Sequence, residues 1–292
     1  MKTQGKKKYH LTGWSMVMIA SVLVLAFSYI PMIQAFLLSL QTGKGANLKF
    51  SGLDNYIRMI HDSTFWTTMG NTLLYAVIQI PVMLLLALVI AVLLNDPKLK
   101  GRGIYRTCIF LPCVTSMVSY SILFKNLFSV DGIVNQILLK LGIIDKSIAF
   151  VLDENWAKVV IIIALIWRYT GYFMIFFLSA LQNIDKSVYE AAKMDGCNFA
   201  QSLFKITLPL LKPIVFLTSI MALTNTLQLF DEVVNLTEGG PGNATRTISY
   251  YIYDLSFTYV PSYGYAAAVS YVVLLLIIVL TIIQKRVTGE KE

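Results

Sequence analysis

The residues of this chain that can do chemistry are few, and they sit in unusual places. Arg168 is the one ionisable group deep in the apolar run from Val159 to Leu181, and Tyr169 and Tyr172 follow it. A guanidinium inside a membrane costs on the order of 3 kcal/mol by insertion scales, so it must earn a partner there. Two readings stand side by side: a place on a substrate path, or an internal structural bond, with Asp231 as one candidate acid. Arg168 and Tyr172 lie four apart and share a helical face. Aromatic and polar groups together suit a sugar, although tyrosines in membrane helices also pack or sit at the interface. A second cluster, Thr224, Asn225, Thr226 and Gln228, interrupts the uncharged run from Pro213 to Phe230. Buried amides in hydrocarbon need partners on a neighbouring helix or on a ligand, and the sequence leaves both open.

Catalytic signatures are missing. The chain has no GxxxxGK[ST] loop to cradle a nucleotide phosphate, no HExxH and no GxSxG. Cys108, Cys113 and Cys197 form no CxxC and are expected to be small buried hydrophobes. His10 and His61 lie far apart in polar segments, so no metal site is expected. An enzyme is not indicated, and no cofactor is expected in this chain.

The elements that must position these residues are membrane helices. Of 292 residues, 57% are hydrophobic and 14% charged, against roughly 25% charged in a soluble domain. Mean hydropathy is +0.68. The formal charge of +8 does not point to nucleic acid, because no basic stripe with interleaved aromatics appears outside the apolar runs. Uncharged or nearly uncharged stretches run over 11–43, 63–95, 107–124, 159–181, 213–230 and 255–284. A helix needs about 20 apolar residues to cross the hydrocarbon, so the pattern predicts an all-α integral membrane protein with six transmembrane helices. The first stretch is too long for a signal-peptide core and reads as an uncleaved anchor, bent but not ended at Pro31.

Lys and Arg cluster at Lys2, Lys6, Lys7 and Lys8, at Lys98, Lys100, Arg102 and Arg106, at Lys186, Lys193 and Lys205, and at Lys285, Arg286 and Lys291. This bias predicts that both termini are cytoplasmic. The expected organisation is a cytoplasmic tail over 1–13, a transmembrane domain over 14–284 with a cytoplasmic loop at 182–212, and a tail over 285–292. Within that loop a short helix over 187–192 is expected, with Asp185 or Ser187 as its N-cap and Gly196 permitting a reversal after it. Phe199, Leu203 and Phe204 then recur at helical spacing, and Pro209 and Pro213 punctuate the return to the membrane.

The run Glu190-Ala191-Ala192, then Asp195-Gly196, then Ile206-Thr207-Leu208-Pro209, resembles the EAA loop of binding-protein-dependent ABC importer permeases. Cys197 departs from the alanine usual in that family but is still small. The likeness extends along the chain. Gly101-Arg102-Gly103-Ile104-Tyr105-Arg106, Trp167-Arg168-Tyr169-Thr170-Gly171-Tyr172 and Leu236-Thr237-Glu238-Gly239-Gly240-Pro241-Gly242 are similar to segments of carbohydrate permeases of the maltose and glycerol-phosphate type. They resemble the F-type half of the permease pair.

The resemblance implies a type I ABC importer permease fold in the bacterial or archaeal cell membrane. It implies a sugar or oligosaccharide substrate, a second homologous permease subunit, an ATPase dimer holding ATP and Mg, an extracellular solute-binding protein and membrane lipid as partners. It assigns ATPase coupling to Glu190, Ala191, Ala192, Asp195, Gly196, Leu208 and Pro209. It places the polar half of the fifth span on the sugar path, making Arg168, Tyr169, Tyr172, Asn225, Thr226 and Gln228 candidate path residues. The alternative class is an ion-coupled secondary transporter. Against it, no carboxylate relay accompanies Arg168 and no inverted repeat is evident.

Overall fold

The computed structural model describes residues 3–45, 47–258 and 260–288. Helix α1 (Thr3–Val24) passes through a π turn at Leu25–Tyr29 into α2 (Ile30–Ser39). Pro31 falls in the first turn of α2, so the helix is interrupted at the proline but not ended. Strands β1 (Gln41–Lys44) and β2 (Asn47–Phe50) form an antiparallel hairpin with Gln41 opposite Phe50, a small addition to the expected all-helical architecture. Then follow α3 (Asp54–Ile60), α4 (Ser63–Asn95), α5 (Arg102–Val114), α6 (Met117–Leu127), α7 (Ile133–Lys140) and α8 (Glu154–Leu181). The next helices are α9 (Lys186–Met194), α10 (Phe199–Ser202), α11 (Leu208–Leu210) and α12 (Lys212–Leu227). The last are α13 (Asp231–Thr237), α14 (Ile248–Tyr253) and α15 (Tyr263–Thr288).

Among the described residues, four helical stretches are long and apolar enough to cross a membrane, and six are if each of two bent pairs is one span. Two of the six expected spans are bent pairs. Helices α5 and α6 meet at 98°, and the α10–α11 segment meets α12 at 79°. The first bend has a local cause. Pro112 lies near the end of α5, Thr115 and Ser116 turn extended, and the Thr115 hydroxyl donates to the Pro112 carbonyl at 2.7 Å. The second bend pivots on Leu211, between Pro209 and Pro213, as the punctuation predicts.

The chain divides into two compact units. In the one formed by the described residues of 1–62 and 252–274, the hairpin is fixed by side chains. Asn55 donates to the carbonyls of Ser39 and Gln41, both at 2.8 Å, and the Ser39 and Tyr56 hydroxyls pair at 2.8 Å. Tyr265 donates to Asp62 at 2.6 Å while the Arg58 guanidinium lies 4.1 Å above its ring.

In the other unit, 63–251 with the described residues from 275 on, α4 packs along α8. On α4 the buried positions Ala76, Ile80, Met83, Ala87, Ala91 and Leu94 recur at spacings of three and four, which aligns them on one face. Phe173, Met174, Phe177, Leu178 and Leu181 of α8 fill that face. Lipid is as apolar as leucine, so such helices associate by close packing of small residues more than by a hydrophobic drive. Ala87 and Ala91 permit it here, and Val77, Leu85, Leu86 and Leu93 point away from the contact. Gly171 carries the same logic to α5: a Cβ there would stand 2.0 Å from the Ile109 carbonyl oxygen. None of the three cysteines is buried as expected. Cys108 is exposed on α5, and Cys113 and Cys197 are half-buried.

Candidate functional site

A cavity of about 250 Å³ opens in the second unit among α4, α6, α8, α12 and α13. Four of the six expected path residues line it: Tyr169, Asn225, Thr226 and Gln228. Asn225 and Gln228 are exposed, and no hydrogen bond of their side-chain amides is found among the described residues. Thr226 is different. Its buried hydroxyl lies 2.8 Å from the Ala222 carbonyl and 3.1 Å from Oε1 of Gln79, so it ties α12 to α4. The two readings of this polar cluster thus separate by residue, with Thr226 bonded to a neighbouring helix and the two amides turned to open space.

Arg168 and Tyr172 do not line the cavity. Tyr172 stacks edge-on against Phe173 and Phe176, each ring centroid 5.2 Å away. Arg168 is buried, and its Nη1 donates to the carbonyls of Thr115 at 2.9 Å and Pro112 at 3.3 Å. Both carbonyls lie at the end of α5, where a cation adds a hydrogen bond to each and answers the helix dipole. The guanidinium also stands 4.6 Å from the centroid of the Tyr120 ring and 5.6 Å from that of Tyr169. Asp231, the acid considered from sequence, is not its partner. The acid in this cluster is Glu232, only 3% exposed, whose Oε1 accepts from the Tyr169 hydroxyl at 2.9 Å. Burial pushes the Glu232 carboxyl up from the ordinary carboxylate range, while the Tyr169 bond and the Arg168 charge oppose that rise.

Sequence reasoning did not place Glu232 among the path residues because it lies outside the apolar runs, at the start of α13. What brings it inward is a loop after α13 that is pinned to α4. Asn71 donates to the carbonyls of Asn243 at 3.1 Å and Arg246 at 3.0 Å, and the Thr72 hydroxyl accepts from the backbone N–H of Ile248 at 2.9 Å. Thr245 bridges Thr237 and the Gly240 carbonyl at 2.7 and 2.8 Å. The amide and hydroxyl of Asn71 and Thr72, within the mostly apolar helix α4, were the available signal.

The expected coupling residues occupy a separate surface. Asp185 caps α9 by accepting from the Ser187 N–H at 2.9 Å, and that bond holds its carboxyl below the usual range. Beyond α9, the Cys197 N–H reaches the Ala192 carbonyl at 3.0 Å and the Gly196 N–H reaches that of Lys193 at 3.1 Å. This is a Schellman ending, and it needs the φ of +74° that Gly196 adopts. Asn198 and Gln201 then form a capping box that starts α10. Of the amphipathic positions expected after the turn, only Leu203 is buried, while Phe199 and Phe204 are exposed. Ala192 is buried against the chain, and Tyr189 reaches Thr207 at 3.3 Å. Glu190, Ala191, Asp195 and Gly196 are exposed together, and Leu208 and Pro209 lie on α11. Met194, at 88% exposed, stands among them and was not singled out in the sequence.

Residues 83–289 match the family described as binding-protein-dependent transport system inner membrane component, and the chain belongs to that family. It is 50% identical over 289 residues to the lactose transport system permease protein LacF of Rhizobium radiobacter, covering 98% of this chain and 97% of that relative. It is 32% identical over 268 residues to the arabinooligosaccharides transport system permease protein AraP of Bacillus subtilis, covering 91% of this chain and 84% of the other. A chain in the crystal structure of a bacterial alginate ABC transporter, in complex with an alginate pentasaccharide-bound periplasmic protein, superposes with a TM-score of 0.85 at 23% identity over the whole of both chains. The fold is therefore that of an ABC importer permease, and an ion-coupled secondary transporter is not favoured.

Proposed function

We propose that this chain is one transmembrane half of an ATP-driven saccharide importer, working with a second permease, a separate ATPase dimer and an extracellular binding protein. The observation that carries the saccharide reading is the 50% identity with a lactose permease along nearly the full length. In this reading the cavity is part of the sugar path, with Asn225 and Gln228 exchanging the water bonds of sugar hydroxyls for amide bonds. ATP and Mg belong to the partner ATPase, which takes its grip on Glu190, Ala191, Ala192, Asp195 and Gly196, with Leu208 and Pro209 carrying the movement into α12. Both termini lie in the cytoplasm, as the Lys and Arg bias argues.

The test is purification of the tagged chain from its own membranes. A second permease and an ATPase should come with it, and ATP should drive lactose into vesicles made with the binding protein. Recovery of the chain alone, with uptake driven by an ion gradient, would sink the reading. Gln228→Ala should lower that uptake by about tenfold with complex assembly intact, since the side chain makes no hydrogen bond among the described residues and about 1–3 kcal/mol attaches to an unmatched polar group. Unchanged uptake would take Gln228 off the path. For orientation, a variant keeping Cys197 as its sole cysteine should react with a membrane-impermeant maleimide only from the cytoplasmic side. Reaction from outside would invert the topology.

A further inference from the structure

We propose that the cavity admits uncharged saccharides and turns away anionic ones, and that Glu232 sets this selection. The inference rests on the reading of the cavity as the sugar path and names the class of sugar it takes. The wall carries the carboxylates of Asp231 and Glu232, the amides of Gln79, Asn225 and Gln228, and the phenol of Tyr169. Among the described residues that line it, none is Lys, Arg or His. Arg168, the cation beside this cluster, does not line the wall. Its Nη1 serves the Pro112 and Thr115 carbonyls, and the rings of Tyr120 and Tyr169 stand against it.

A sugar hydroxyl that meets Glu232 or Asp231 can donate to a carboxylate oxygen, and such charge-assisted bonds are stronger than neutral ones. Phe173, Leu165 and Met83 supply apolar wall for a pyranose face. A carboxylated sugar fares differently. No cation lines the wall to meet it, and its charge lies in the same small volume as the Asp231 and Glu232 carboxyls. Two like charges about 5 Å apart at an effective dielectric near 20 repel by well over a tenfold change in binding. Tyr169 holds the Glu232 carboxylate in place, so it cannot swing away to relieve that repulsion.

The experiment uses the whole importer in detergent, with both permeases and the ATPases but without the binding protein, whose own selectivity would otherwise intervene. The probes are radiolabelled lactose and lactobionate, the same disaccharide with its reducing end oxidised to a carboxylate, compared by equilibrium dialysis. If vesicle uptake shows another neutral oligosaccharide to be the substrate, that sugar and its aldonate replace them. The wild type should bind the neutral sugar at least about tenfold more tightly than the anion. Glu232→Gln, which keeps the shape and removes the charge, should narrow the ratio to about threefold, and Asp231→Asn, at the exposed rim, should narrow it less. Equal binding of both sugars by the wild type, or an unchanged ratio in Glu232→Gln, overturns the charge selection while leaving the path reading in place. Binding of neither sugar by an importer that still transports the neutral one overturns both, because the path then lies outside this cavity.

Discussion

Gly171→Ala is expected to lower the melting temperature of the purified chain more than any other single methyl in the α5–α8 contact, and to reduce the amount recovered from membranes. The Cβ would lie 2.0 Å from the Ile109 carbonyl oxygen and 2.9 Å from the Phe110 Cα, so backbone must move. Overpacking of this kind costs typically about 1–3 kcal/mol, and more when the obstacle is main chain instead of a side-chain end. The damage does not stay local. Separating α5 from α8 also stretches the bonds from Arg168 to Pro112 and Thr115 that finish α5. Gly103→Ala is the control: it lies on α5 with nothing within 4 Å of its Cβ and should be neutral or slightly stabilising. A Gly171→Ala protein as stable as the Gly103→Ala one would remove the close approach from the account.

The same helix shows why much of the fold was legible in the sequence and some was not. Apolar runs of membrane-crossing length are read directly, because hydrocarbon forces the backbone into helices wherever such a run occurs. Proline positions marked where helices start or bend, and Pro31, Pro209 and Pro213 act as their chemistry requires. The sharp turn between α5 and α6 was not foreseen. Pro112 alone does not dictate it, since Pro81 lies inside α4 and that helix runs on. At this bend Arg168, 53 residues further along the chain than Thr115, donates to the Thr115 carbonyl. A bend that depends on a remote donor leaves no local signature.

The candidate sites divide along the same line. In the 182–212 loop the devices that shape the turns are local: the Asp185 cap, the Gly196 reversal and the Asn198–Gln201 capping box all join residues within a few positions. Spacing alone reads the cap and the reversal, while the capping box came only with the structure. The cavity is assembled by distant pairs instead, Gln79 with Thr226, Tyr169 with Glu232, and Asn71 with the carbonyls of Asn243 and Arg246. The residue types in the fifth span hinted at a polar site, yet only the folded chain shows which of them are already bonded. It also moves Arg168 and Tyr172 out of the cavity wall and brings Glu232 in. An acid in a sequence loop reads as solvated; two residues of separation from the apolar run hide that α13 folds back on α6 and α8.

Met194→Glu should separate this chain from its proposed ATPase while leaving its own fold untouched. Met194 is 88% exposed, so its side chain contributes almost nothing to packing within the chain. An apolar side chain of that size, once buried by a partner, contributes roughly 1.5–3 kcal/mol. A carboxylate in its place adds the cost of burying an unpaired charge, so association should weaken by about a hundredfold or more and ATP-driven uptake should fall to background. Insertion and melting temperature should match the wild type. Gly196→Val makes the useful contrast. Open space surrounds the Gly196 Cβ position, but the φ of +74° is strained for a β-branched residue by about 1–2 kcal/mol. That strain falls on the Schellman ending of α9, so this variant should lose both ATPase association and some stability of the loop, seen as faster proteolysis there. Met194→Glu must lose only the first. Should it purify with the ATPase in wild-type proportion and support normal uptake, the coupling surface does not include the end of α9, and the exposed Glu190–Ala191 face would have to carry the contact alone.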